Sequence, residues 1–155
     1  MDRRMRRIIK FKVPKEHYQA DALIFWCFDN RFSKSDNSLL ESLIMLRGFK
    51  EVDIVKVAGG AKGLTRKGPE QDYCFLQLDK SLKLHNPPEI IIMNHADCGD
   101  YGKTFSDETS LQAFFAGELE LAKEAILGHL SSRNITLPIA IAKYLADFEG
   151  IIEIA

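Results

Sequence analysis

Three side chains in this sequence are of types, and in positions, that can share a metal ion. His95 and Cys98 are separated by two residues in the stretch Ile90-Ile91-Ile92-Met93-Asn94-His95-Ala96-Asp97-Cys98-Gly99. Four apolar residues after the turn signal Asn86-Pro87-Pro88 read as a short buried strand. Gly99 then lets the backbone turn sharply. A second stretch, Leu23-Ile24-Phe25-Trp26-Cys27-Phe28-Asp29-Asn30-Arg31, has the same grammar. Its apolar strand ends in Cys27, followed by a carboxylate and a guanidinium on alternate positions. In open α/β sheets chemistry collects at the carboxyl ends of strands. If the two strands are parallel neighbours, Cys27 lies near His95 and Cys98. Two thiolates and an imidazole make a three-ligand zinc shell with the fourth position open, as in catalytic sites. A lone His and Cys at a strand end are more often simply packed or hydrogen-bonded; the second stretch is what favours metal.

Two thiolates and a neutral imidazole cancel the +2 charge of zinc. Such a shell acidifies bound water less than three histidines do, where the water pKa falls to about 7. A helper is needed, and Asp29 is the candidate. Ionised, it accepts a hydrogen bond from the water and orients it. Arg31, two residues on, can pair with Asp29 and keep it ionised. Asp97, between two of the ligands, either supports them or is a solvated loop residue. His17, His85 and His129 read as surface or helix residues.

The elements that must carry these residues alternate. Ala22 to Trp26 is the first core strand. A helix capped by Ser35 or Asp36 runs to about Arg47, with Leu39, Leu40, Leu43, Ile44 and Leu46 inward and Gly48 as its stop. Val52 to Val57 is the second strand. Ala58-Gly59-Gly60-Ala61-Lys62-Gly63 follows as a loop; it is not a phosphate-binding loop, and its bare glycines suit a close backbone or ligand approach. Glu70 to about His85 is a helix with Pro69 in its first turn and Cys74 in the core. After the Ile90 strand, Gly99 to Ser106 is a loop over the site mouth. Thr104 with Asp107 resembles a capping box. The helix that follows runs to about Leu130, exposing Glu118, Glu120, Lys123 and Glu124 and burying Leu111, Phe114, Phe115, Leu119, Ala122 and Ile126. Pro138 to Leu145 is a strand, and Ile151 to Ile154 returns as an antiparallel edge after a turn at Asp147 to Gly150. The order β-α-β-α-β-α-β-β predicts a single α/β domain over residues 22–155. Its sheet is four parallel strands plus the antiparallel C-terminal edge, flanked by helices. Residues 1–21 form a basic N-terminal arm in which Ile9, Phe11 and Val13 alternate with lysines, a pattern that could pair as an edge strand.

The composition narrows the class. At 155 residues, 46% hydrophobic and 28% charged, the chain can bury a core without disulfides. A net charge of −1 gives no reason to expect nucleic acid or an anionic membrane as partner. Three cysteines, an odd number, argue against a disulfide scaffold and fit a reducing compartment. Lys10 and Lys12 interrupt any apolar signal segment after the N-terminal arginines, so the cytoplasm is the expected location.

Cys-x-Asp-x-Arg followed by a distant His-x-x-Cys-Gly resembles the β-class carbonic anhydrases. Val57-Ala58-Gly59-Gly60 is similar to the segment between those motifs in the family, and Pro138 to Ile154 to its last strand and hairpin return. The resemblance covers most of the chain from about Ala22 on. It implies zinc-dependent reversible hydration of carbon dioxide to bicarbonate by a zinc-bound hydroxide, with no organic cofactor. Zn2+ would rest on Cys27, His95 and Cys98. Asp29 and Arg31 would form the catalytic pair, Arg31 keeping Asp29 off the metal, and Gly59, Gly60 and Gly99 would line a small pocket. It also implies a homodimer or larger homo-oligomer with the site at the subunit interface. The chain departs from the family pattern at Asn30 and at Asp100-Tyr101, while Gly60 in place of the commoner Asn is a known variation within it; Asp100 would bring negative charge to the mouth. The alternatives are a non-catalytic zinc protein of the same fold with Asp29 as fourth ligand, a zinc hydrolase of carbon disulfide or carbonyl sulfide, and a metal-free domain in which the cysteines only pack.

Overall fold

The computed structural model describes residues 8–34, 38–136 and 138–155. Five strands, β1 (Ala22–Cys27), β2 (Val52–Val57), β3 (Glu89–His95), β4 (Ala140–Ala146) and β5 (Ile151–Ile154), form one sheet in the order β2-β1-β3-β4-β5. All neighbours are parallel except β4 and β5, as the element order predicts. Strands joined by helices must run parallel, because the connection crosses back over a face of the sheet. β1 and β3, the inner pair, are apolar on both faces and buried along almost their whole length.

The helices divide between the two faces. Leu23 and Phe25 of β1 and Ile90 and Ile92 of β3 pack with α2 (Pro69–His85) and α3 (Glu108–Ser132). Ala22, Ile24 and Trp26, with Ile91 and Met93, face α1 (Leu39–Arg47) through Leu40 and Leu43. Both faces of the central strands are thus filled, which fixes their register: a slip of one residue would exchange the two sets.

Several local expectations are corrected. The N-cap of α1 is Ser38, whose hydroxyl accepts the Glu41 N–H; Ser35 and Asp36 lie outside the described residues. Leu46 does not face inward but is 82% exposed, beside Met45 at 80%. The true inward stripe is Leu40, Leu43, Ile44 and Arg47, and Arg47 takes the last place because its guanidinium reaches Glu89 and the Tyr144 hydroxyl. The glycine loop winds into a 3-10 turn at Gly60–Leu64 after Gly59, which has φ +75°. Thr104 opens no capping box; Asp107 is itself the N-cap, accepting the Ser110 N–H at 2.7 Å. Glu118 is buried, not exposed, because it falls in the apolar stripe of α3 opposite Arg66. β4 begins at Ala140, after Pro138, which has no N–H to give the ladder. Residues 8–20 form no strand, and Ile9, Phe11 and Val13 are exposed; neither sheet edge takes a strand from them. Met1 to Arg7 of the arm lie outside the described residues.

Candidate metal centre

β1 and β3 end side by side. Their parallel pairing aligns Phe25 with Ile92, so Cys27 and His95 emerge at the same end of the sheet. The Sγ atoms of Cys27 and Cys98 and a ring nitrogen of His95 all lie within 4.8 Å of one another, and all three residues are buried. Their backbones turn away here for reasons visible in the chain. Asp29 caps a 3-10 turn at Asn30–Phe32 by accepting the Arg31 N–H. Asp97 takes φ +55°, a conformation Asp tolerates better than most residues, and Cys98 opens a turn closed by Tyr101 N–H to its carbonyl.

His95 is oriented for a metal. Its Nδ1 lies 2.8 Å from the Ala96 carbonyl, which can only accept, so the proton belongs on Nδ1. Nε2 then carries the lone pair, is completely buried, and has no hydrogen-bond partner. A buried imidazole nitrogen left without a partner is costly, and the two adjacent sulfurs are only weak hydrogen-bonding groups, whereas a shared cation would satisfy all three. Trp26 and Phe32 pack edge-on and tilted against the ring and shut water out on the α1 side. The donor set of one nitrogen and two sulfurs suits zinc.

The thiols do not ionise alike. The Cys98 thiol hydrogen-bonded to it, the imidazole of His95, and the backbone N–H groups of Asp29 and Gly59 draw the Cys27 pKa down to about 4. The thiolate so formed, together with burial, pushes Cys98 up. Burial works against charge on His95, but the Cys27 thiolate and the Ala96 carbonyl outweigh it and leave that pKa raised. A divalent cation would displace the proton of the Cys98 thiol and take the lone pair of Nε2.

Asp29 is held beside this group, not in it. Arg31 grips it through Nε and Nη2, the latter at 2.6 Å from Oδ2. Arg31 also donates to Asp97, at 2.9 Å to Oδ2 and 3.1 Å to the carbonyl. Asp29 Oδ2 stands 3.8 Å from His95 Nε2. The guanidinium lowers the Asp29 pKa to about 2.

Gly60 is required by its surroundings. It has φ +56°, and a Cβ there would lie 2.4 Å from the Met93 carbonyl and 3.2 Å from the Cys27 nitrogen. Gly59 and Gly60 are buried beside the ligands, whereas Gly99 is exposed next to Cys98 with open space around it. Asp100 does not stand as a bare charge at the mouth: Lys62 donates to its Oδ2 at 2.8 Å and to its carbonyl at 2.6 Å. Sequence reasoning missed Lys62. It also missed Asn94, which is buried, accepts the Ala61 N–H and donates to the Tyr101 hydroxyl. The polar type of Asn94 inside an otherwise apolar strand was the signal for it. A cleft of about 460 Å³ opens beside Ala96 and Asp97, lined in part by Phe105, Leu111 and Phe148. A larger cavity, about 610 Å³, lies at the opposite end of the strands by Pro87, Pro88 and Ile139, away from these groups.

No protein-family model matches the chain. An uncharacterised protein of Rickettsia bellii (strain RML369-C) is 26% identical over 111 residues, which is 66% of this chain; the chain spans 65% of the length of that relative. Among solved structures, β-carbonic anhydrase isoform I of Trichomonas vaginalis superposes with a TM-score of 0.58 at 18% identity, covering 94% of this chain and 87% of that one. The carbonic anhydrase of Streptococcus mutans gives 0.55 at 20% identity, covering 90% and 84%. That of Glaciozyma antarctica gives 0.52 at 19% identity, with the same coverage. From the strand order to the hairpin return, the chain has the fold of the β-class carbonic anhydrases.

Proposed function

We propose that this chain catalyses the reversible hydration of carbon dioxide to bicarbonate, with zinc on Cys27, His95 and Cys98. The observation that carries the reading is the unpartnered Nε2 of His95, buried and turned toward two thiols. Zinc held there supplies a Lewis acid that makes water a nucleophile near neutral pH. The residues of the chain do the rest. Asp29, an anion throughout the working range, orients the attacking water through Oδ2. Arg31 places three N–H groups on that carboxylate, with Nε shared between its two oxygens, and Oδ2 still faces the ligands at 3.8 Å from His95 Nε2. The bidentate grip holds Asp29 back from the metal position. Trp26 and Phe32 keep bulk water off the imidazole. Gly59 and Gly60 let the loop backbone close against Met93, Lys62 and Asp100 to form a wall beside the ligands, and Gly99, with open space around it, lies at the mouth.

The chain acts in this reading as a homodimer in the cytoplasm. Phe28 and Phe148, both exposed, flank the mouth and suit cover by a second subunit. The test is stopped-flow carbon dioxide hydration by zinc-loaded protein between pH 6.5 and 9. Turnover well above buffer, rising with pH, is expected. Firm zinc binding without turnover would reject hydration, and assays with carbon disulfide and carbonyl sulfide would then distinguish a related hydrolase from a closed site.

A further inference from the structure

The loop after β2 abuts Cys27, and the loop after β3 carries Cys98. A Cβ at Gly60 would stand 3.2 Å from the Cys27 nitrogen, and Cys98 opens a turn closed by the Tyr101 N–H to its carbonyl. Loops that fix the backbone of a metal ligand fix where its side chain points. A side-chain clasp joins the two loops. Lys62, in the turn that follows Gly59, spans to the far loop and donates to both the carbonyl and the carboxylate of Asp100, at 2.6 and 2.8 Å. The stem of Lys62 and the Asp100 carboxylate close directly over Gly59: a Cβ there would stand 2.8 Å from Asp100 Oδ2 and 2.9 Å from the Lys62 Cβ. The Lys62 ammonium also sits 5.3 Å from the centre of the Tyr101 ring. The Lys62 side chain is 21% exposed and that of Asp100 35%.

A second tie runs beneath the first. Asn94 connects Ala61 N–H to the Tyr101 hydroxyl, and Tyr101 packs against Phe114 and Phe115 of α3. The loop after Cys98 is therefore pinned from below by Tyr101 and from above by Lys62. Asp100 and Tyr101 are two of the positions at which the chain departs from the pattern it resembles, and both serve these ties.

We propose that Lys62 and Asp100 are positioning residues: their clasp holds the loop beside Cys27 against the loop that carries Cys98, and so sets how firmly the centre retains its metal. This rests on the metal reading above, though not on the hydration reaction. The clasp also neutralises Asp100, so its carboxylate does not repel an anionic product at the mouth.

The test uses the full chain in metal-free and zinc-loaded forms. Lys62→Met removes both clasp hydrogen bonds, while Lys62→Arg can reach both acceptors. In the metal-free chain, amide hydrogen exchange over 59–62 and 98–102 is expected to quicken about tenfold in Lys62→Met and to return toward wild type in Lys62→Arg. Exchange over Ile90 to Met93 serves as the control for an intact sheet. In the zinc-loaded chain, release of zinc to a colorimetric chelator is expected about tenfold faster for Lys62→Met, with Asp100→Ala adding little in that background. Asp100→Ala alone gives a second, smaller measure should Lys62→Met disturb the sheet. Unchanged exchange in both loops overturns the proposal whether or not metal binds. Faster exchange with unchanged zinc release overturns it too, because the clasp would then serve the loops and not the sulfurs. A wild-type chain that takes up no zinc overturns both this inference and the proposed function. Zinc release that depends on Lys62 in a protein that hydrates nothing supports the clasp and rejects the activity.

Discussion

Asp29 and Asp97 share one guanidinium. Arg31 must satisfy both carboxylates and the Asp97 carbonyl, so its position is set from two sides of the site. Asp29→Asn is expected to retain zinc and to lose about 100-fold in turnover, the usual scale for one proton-handling group; retained turnover would remove Asp29 from the mechanism. The pH dependence has a definite sign. The folded pKa of Asp29, about 2, lies below its ordinary 3.8. The Asp29–Arg31 pair therefore stabilises fully above about pH 4 and loses its contribution as pH falls toward 2. Hydration rate changes between pH 6.5 and 9 belong to another group, and Asp29→Glu should leave that midpoint in place. Cys98→Ser, by contrast, is expected to abolish stoichiometric zinc, read by elemental analysis. Cys27, His95 and Cys98 were legible as a group because two apolar strands each run into metal-capable side chains, and the structure brings those strand ends together. Lys62 was not: it meets Asp100 across 38 positions, and a surface lysine looks like any other until the fold is known.

At the scale of elements, the turn after β2 is the least tolerant part of the site. Gly60→Ala puts a methyl group against the Met93 carbonyl on a backbone at φ +56°. We expect a loss of about 3 kcal/mol or more in denaturant unfolding, with impaired zinc uptake. The edge strand β2 has its own anchor. Asp53 accepts the Tyr18 and Ser81 hydroxyls, each at 2.6 Å, and lies 2.8 Å from His85 Nδ1. Burial raises the Asp53 pKa, but those hydrogen bonds outweigh it and leave the net shift downward. Asp53→Ala should cost about 2 kcal/mol at neutral pH. That difference should shrink as wild type is taken below the ordinary carboxylate pKa, since protonation removes the same anion. The succession of strands and helices was readable from hydrophobic runs and punctuation; the order of the strands across the sheet was not, because no local signal says which strands become neighbours. The faces of the helices were only partly readable. Leu46 belongs to an apparent i, i+3 series with Leu43, yet the stripe centred on Leu40, Leu43, Ile44 and Arg47 leaves it roughly 110° off axis. Glu118 was misplaced for the opposite reason: its charge suggested solvent, while its spacing of three from Phe115 and four from Ala122 already put it in the buried stripe.

For the whole molecule, the outer surface of α1 carries Met45 and Leu46 and the segment before β1 carries Ile8, Ile9, Phe11 and Val13, all well exposed. That much uncovered apolar surface fits association. A dimer is expected by light scattering, and Met45→Asp with Leu46→Asp should shift it toward monomer if α1 lies in the interface; a wild-type monomer with full activity would contradict the proposed interface site. The centre is also divided along the chain. Cys27 lies at the end of the first strand, while His95 and Cys98 lie at the end of the third, with α1, β2 and α2 between them. During synthesis at about 5–20 residues per second, Cys27 would leave the ribosome some 4–14 s before Cys98. For that interval it is an unliganded thiol on an unpaired apolar strand, and neither metal nor the β1–β3 pairing can protect it. On the proposed zinc reading, metal capture follows the pairing of β1 with β3, and oxidants present during translation should threaten the centre more than the same oxidants applied to the folded, metal-loaded protein.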